Sequence, residues 1–149
     1  MALVLQTATF AHQYLNSFLY SRPQKSPSAL NLGVVSSAQI NAAAIIHPAE
    51  THPLVQLHGI ASRDLATAKS QARKYRFKKA YGSYEELYND PEIDIVYIST
   101  PNGQHYECAT KALQAGKHVL CEKPFMSNAE QARAIVRLAE ERGLVLEEA

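Results

Sequence analysis

From Leu30 onward the chain alternates between two hydrophobic periods. LNLGVVS is a continuous apolar run with a β-branched pair, which predicts a strand buried on both faces. AQINAAAIIH follows and is alanine-rich, as a helix would be. Pro48 and Pro53 bracket a turn, and LVQLHGIAS is a second buried strand. Asp64 stands where it can cap the helix LATAKSQARKY, whose Leu65, Ala68, Ala72 and Tyr75 share one face. KAYG is a short third strand. Ser83 and Glu86 make an S-x-x-E capping box for YEELYN. DIVYIST is a fourth strand, stopped by Pro101. A helix over about His105–Ala115 runs up to Gly116, where a C-terminal glycine belongs. HVLCE is a fifth strand. Ser127 and Glu130 make a second capping box before AEQARAIVRLAEER, which ends at Gly143, and LVLEEA opens a sixth strand.

Strands that alternate with helices need crossover connections, and these produce a parallel sheet covered on both faces. Right-handed crossovers give a doubly wound α/β fold. The flavodoxin-like order 2-1-3-4-5 accommodates five strands. The sixth strand and the features of the strand tips favour the Rossmann order 3-2-1-4-5-6.

The first 29 residues read differently. Met1–Ala29 carries Arg22 and Lys25 as its only charges and ends in SRPQKSPSA, a linker by composition. No apolar run in it approaches the ~20 residues of a membrane span. ALVL is short for the centre of a signal peptide, and transit peptides carry more arginine. The stretch reads as a short helical extension around Phe10–Tyr20, with Phe10, Tyr14 and Phe18 on one face, docking on the domain or a partner. Residues 30–149 then form the one domain that a 149-residue chain accommodates.

A net charge of +1 provides no field toward nucleic acid or acidic lipid, and no basic stripe interleaves with aromatics. Cys108 and Cys121 are two isolated thiols, which read as buried, reduced cysteines of a cytoplasmic protein. The six histidines show neither HExxH nor CxxC…H spacing, so the sequence predicts no metal.

In an open parallel sheet, ligands bind beyond the carboxyl ends of the strands, near the point where the strand order reverses. After the first strand comes Ser36-Ser37-Ala38-Gln39-Ile40-Asn41, where a G-x-G-x-x-G loop would stand. Ser36, Ala38 and Asn41 occupy its glycine positions. Serine and alanine are small enough for a tight turn close to a pyrophosphate, while Asn41 would push the first helix outward. After the second strand come Ser62 and Arg63. An NAD site usually places a carboxylate here. A hydroxyl and a guanidinium suit a 2′-phosphate instead, favouring NADP over NAD. Asp64 is better used as the helix cap.

The fourth tip is Ser99-Thr100-Pro101-Asn102-Gly103-Gln104-His105. Turn chemistry and helix initiation account for Asn102 and His105 as well as cofactor contact does. The fifth tip is Glu122-Lys123-Pro124. A lysine beside a nicotinamide can hydrogen-bond a substrate hydroxyl and support its deprotonation, a role that partial burial and a nearby positive charge would favour. A surface ion pair is the alternative.

Taken together, GVVSSAQIN, GIASRD, YGSYEELYNDPEIDIVYISTPNGQHYE, ALQAGKHVLCEKPFMSNAEQA and LVLEEA resemble the glucose–fructose oxidoreductase and inositol dehydrogenase family, Gfo/Idh/MocA, over about four-fifths of the chain. ASRD, EKPFMSNAEQA and LEEA look most like its branch of dimeric dihydrodiol and NADP-dependent D-xylose dehydrogenases. The resemblance implies an NADP-dependent dehydrogenase that oxidises a D-xylose-like aldose or a trans-dihydrodiol. In it Lys123 matches the catalytic lysine, Asn102 and His105 line the nicotinamide ribose, Glu122 is a neighbouring cofactor contact, and Ser62 and Arg63 read the adenosine ribose. Family members continue into a second α/β domain with the substrate pocket, a further acid–base residue and most of a homodimer interface. The resemblance therefore implies that the substrate domain is absent from a chain ending at Ala149, as in a truncated product, a partial gene model or one piece of a split protein. The alternative is an NADP-binding module without catalysis.

Overall fold

The runs richest in Val and Ile become strands, because branched side chains fill a pleated, buried surface. In the computed structural model, which describes residues 23–149, these are β1 (Leu30–Val35), β2 (Val55–Ala61), β3 (Lys79–Tyr81), β4 (Ile95–Ile98), β5 (His118–Cys121) and β6 (Leu146–Glu148). All pairings are parallel, in the order β3-β2-β1-β4-β5-β6. The order reverses between β1 and β4, as expected for the doubly wound Rossmann fold. The helices are α1 (His47–Thr51, preceded by a π-helical turn Ala42–Ile46), α2 (Leu65–Tyr75), α3 (Tyr84–Tyr88), α4 (His105–Gln114, preceded by the 3-10 turn Asn102–Gln104) and α5 (Ala129–Arg142).

Side chains alternate across a strand, so neighbours feed opposite layers. Val34, Ile60 and Tyr97 pack with Ile46, Ala72 and Phe77 in one core. Val35, Ala61, Val96 and Ile98 pack with Leu87, Ile93, Leu113 and Ile135 in the other. The register of β1 against β2 shifts between Leu32, opposite Leu57, and Gly33, opposite Gly59. His58 is the extra residue at that bulge.

Several boundaries differ from expectation. The first helix begins at Ala42, not Ala38, because Ala38 to Asn41 form a turn in which the Asn41 N–H bonds the Ala38 carbonyl at 3.2 Å. It also does not stop at Pro48, which stands in the first turn of α1, where a missing N–H costs nothing. The second capping box is displaced by one residue. Asn128, in extended conformation, is the N-cap and accepts from the Gln131 N–H at 2.9 Å, while Gln131 Oε1 accepts from the Ser127 N–H. Ser83 does cap α3, but Glu86 reaches back to the Gly82 N–H instead. Asp64 caps α2 through the Ala66 and Thr67 N–H groups. Gly143 ends α5 in the left-handed conformation, at φ 63°, where an added Cβ would be strained.

The expected helix around Phe10–Tyr20 lies outside the described residues. The described end of the linker is tied down: Lys25 Nζ donates to the carbonyls of Ala49, Glu50 and His52, satisfying the last turn of α1. No helix among the described residues is long and apolar enough to cross a membrane.

Candidate functional site

The loop after β1 turns tightly without a glycine. Ser36 has φ +93°, a region that residues with a Cβ rarely adopt. A buried polar network holds it there. Ser36 Oγ donates to the Ser99 carbonyl at 3.0 Å and accepts from the Ala38 N–H at 3.1 Å. Asn41 Nδ2 donates to the Ser36 carbonyl at 2.9 Å, and Ser99 Oγ donates to Asn41 Oδ1. Asn41 is 3% exposed, so its side chain fills the gap between the loop and the β4 tip. The N–H groups of Ser37, Gln39 and Ile40 make no hydrogen bond among the described residues, and Gln39 and Ile40 are exposed. Unpartnered amides in a tight turn at the sheet's carboxyl edge suit an anionic ligand.

At the β2 tip, Ser62 is buried and its Oγ accepts from the Asp64 N–H at 3.4 Å. Hydrogen bonds to Thr67, its hydroxyl first, hold the Asp64 carboxyl below its ordinary range, so the one carboxylate here is committed to the cap. Arg63 is exposed, and no carboxylate among the described residues pairs with it. It opens onto a cleft of about 390 Å³ between α3 and α4, lined also by Tyr84, Tyr88 and Gln104 and by Glu85 and Glu107, both ion-paired to Lys111. Burial raises the Tyr84 phenol, and the charge of Arg63 beside it pulls the other way.

The β4 and β5 tips meet. The Glu122 N–H donates to the Ile98 carbonyl at 2.9 Å. His105, 1% exposed, bridges the two tips, with Nε2 2.8 Å from the Thr100 carbonyl and Nδ1 3.0 Å from that of Pro124. Thr100 is buried beneath them, while Pro101 and Asn102 are exposed at the rim. Glu122 Oε1 accepts from the Tyr97 hydroxyl at 2.6 Å, and Oε2 from the Lys123 N–H at 3.3 Å. Burial, then that carboxylate, push the Tyr97 phenol up. The Lys123–Pro124 peptide is cis. Lys123 itself is exposed, and no described residue covers it. Both cysteines are free and buried. Burial raises both thiols, Cys121 to about 12.

Every residue expected at the site thus stands on one edge of the sheet. Two of its supports carry no expectation from the sequence: Tyr97 and Tyr84. A tyrosine inside a fully buried strand was the available signal, since its hydroxyl must find a partner. Ser99 stands in the expected tip, but its partners Ser36 and Asn41 are joined to it only by the fold.

This edge is that of a dinucleotide-binding α/β domain. Residues 30–149 match the model of the Gfo/Idh/MocA oxidoreductase family, NAD-binding Rossmann fold. The chain belongs to this family, as its NAD(P)-binding Rossmann domain. It is 44% identical over 125 residues to the trans-1,2-dihydrobenzene-1,2-diol dehydrogenase of Sus scrofa, and 43% identical to that of Homo sapiens. Each alignment covers 81% of this chain and 36% of the relative. Among solved structures, KijD10, a 3-ketoreductase from Actinomadura kijaniata in complex with TDP-benzene and NADP, superposes with a TM-score of 0.78 at 34% identity, covering 80% of this chain and 38% of that one. The chain therefore spans little more than a third of the length of these relatives.

Proposed function

We propose that the chain is the cofactor half of an NADP-dependent dehydrogenase that oxidises a sugar carbon, of the D-xylose-like aldose type, or a trans-dihydrodiol. The observation that carries the cofactor choice is the β2 tip. The carboxylate there is spent on the Asp64 cap, leaving the Ser62 hydroxyl and the unpaired Arg63 to meet a 2′-phosphate. Ser36 to Ile40 would hold the pyrophosphate on backbone N–H groups. Asn102 and Glu122 would hold the nicotinamide ribose, with Thr100 and Pro101 forming the wall beside it. When bound, the nicotinamide supplies the hydride acceptor. Lys123, at the open face of the same edge, meets the substrate hydroxyl and holds its proton. His105, with both ring nitrogens turned to carbonyls, acts by keeping the two tips together. The names of the dihydrodiol dehydrogenases and the NADP of the ketoreductase complex support this reading.

The test is a fluorescence titration of NADPH against NADH. Arg63→Ala loses ~10- to 100-fold in affinity for NADPH, one charge-assisted hydrogen bond of ~1.5–3 kcal/mol, with little change for NADH. Equal losses for both cofactors would remove the 2′-phosphate role.

A second reading, cofactor binding without turnover, is favoured for this chain taken alone, because it covers 36% of its dehydrogenase relatives. The 149-residue chain is then expected to bind NADPH weakly and to make no measurable NADPH from D-xylose and NADP. Steady xylose-dependent absorbance at the nicotinamide band would overturn it.

A further inference from the structure

A polar cluster that the cofactor reading does not use lies toward the side of the sheet from which β3 and β4 start. Its centre is His58, the extra residue of β2 at the β1–β2 register shift. Bulges commonly re-aim a side chain out of the regular pleat. The His58 ring is 1% exposed, and neither ring nitrogen makes a hydrogen bond among the described residues. Nε2 points toward Glu92, at 3.7 Å from Oε2. An imidazole sealed from water with both nitrogens unsatisfied costs free energy that a bound ligand would recover.

Asp90 and Glu92 reach the same point from the turn between α3 and β4. One donor atom from each of His58, Asp90 and Glu92 lies within 4.8 Å of the others. Tetrahedral bonds of about 2 Å to one ion put its donors about 3.3 Å apart, so the widest separation must close by up to about 1.5 Å. Glu92 can supply that adjustment, since its side chain is 59% exposed. A cation already answers the two carboxylates: Lys79 Nζ lies 2.7 Å from Asp90 Oδ2 and 2.5 Å from Glu92 Oε2. Its side chain is 40% exposed, so the ammonium can swing into water on its flexible stem.

We propose that His58, Asp90 and Glu92 form a binding site for a divalent metal ion, with Zn²⁺ as the ion and water completing its coordination, and that Lys79 is the resident counter-ion it displaces. One imidazole and two carboxylates suit zinc, whereas magnesium and calcium prefer all-oxygen shells. The ion would clamp the bulge of β2 to the turn entering β4. The histidine-spacing rules applied to the sequence could not see such a site, because its donors come from separate elements.

The experiment is calorimetric titration of ZnCl₂ into the chelator-stripped full chain, repeated with MgCl₂. One saturable zinc site per chain is expected, with no magnesium binding. His58→Leu and Glu92→Gln each weaken zinc by about 10-fold or more. Lys79→Met tightens it by removing the competing ammonium. Glu92→Gln changes an exposed side chain, so it keeps the test valid should His58→Leu fail to fold. Absence of saturable binding up to ~1 mM zinc, or wild-type zinc affinity in either folded variant, overturns the site.

Discussion

The two ends of the sheet treat charge in opposite ways. At the carboxyl edge Arg63 and Lys123 are exposed, and neither forms an ion pair among the described residues. At the amino edge the charges are used up internally. Lys79 bridges Asp90 and Glu92, and Lys117, only 7% exposed, donates to the carbonyls of Asp90 and Ile93 at 2.7 and 2.8 Å. Asp94 accepts from the Asn31 N–H at 2.7 Å, pinning the start of β1. The amino edge thus spends its lysines on internal acceptors and leaves the His58 imidazole open to the proposed ion. The carboxyl edge leaves cations and loop amides unspent, as the cofactor role proposed for it requires.

The largest effect expected from this contrast is at Asp90. Its carboxylate receives the Lys79 ammonium, the Tyr81 hydroxyl and the Glu92 N–H, and its burial leaves little water to replace them. Burial alone would raise the carboxyl. The hydrogen bonds from Lys79 and Tyr81 outweigh it and hold the group well below the usual range. Asp90→Ala removes all three contacts and strands the tyrosine hydroxyl. It should cost about 3 kcal/mol in urea unfolding with chelator present. NADPH affinity of the folded fraction should stay at the wild-type value. A variant that kept its stability but lost cofactor would reverse the roles assigned to the two edges.

Legibility in the sequence divides along the same line. The strand order and α2, α4 and α5 could be read because burial imposes a period on consecutive residues, and the caps at Asp64 and Ser83 are local chemistry. The strand tips could be read because the fold places them together whatever their identity. Residues linked only through the third dimension could not. Ser36, Asn41 and Ser99 form one network from two distant segments, and neither segment shows that the other compensates for its missing glycines. The end of the first helix could not be read because Pro48 reads as a stop, although in the first turn of α1 a proline is tolerated. Asn128 displaced Ser127 as the cap because two adjacent residues could both accept the hydrogen bond, and only backbone geometry decides between them.

A smaller effect, and a sharper probe of the carboxyl edge, is expected at Ser36. The residue combines an unfavourable φ of +93° with a hydroxyl that bonds the Ser99 carbonyl and the Ala38 N–H. Ser36→Gly loses the hydroxyl but relieves the backbone, so the two changes should largely cancel and leave stability within about 1 kcal/mol of wild type. Ser36→Ala loses the same hydroxyl and keeps the strain. It should therefore fall below Ser36→Gly by about 1 kcal/mol in the unfolding midpoint comparison. Cofactor should follow the same order, with NADPH bound at least as well by the glycine variant as by wild type, because glycine lets the pyrophosphate approach the loop amides more closely. If alanine and glycine proved equal in stability, the turn would be flexible enough to leave the positive φ, and the carboxyl edge would owe its shape to the ligand instead of to the serine–asparagine network beneath it.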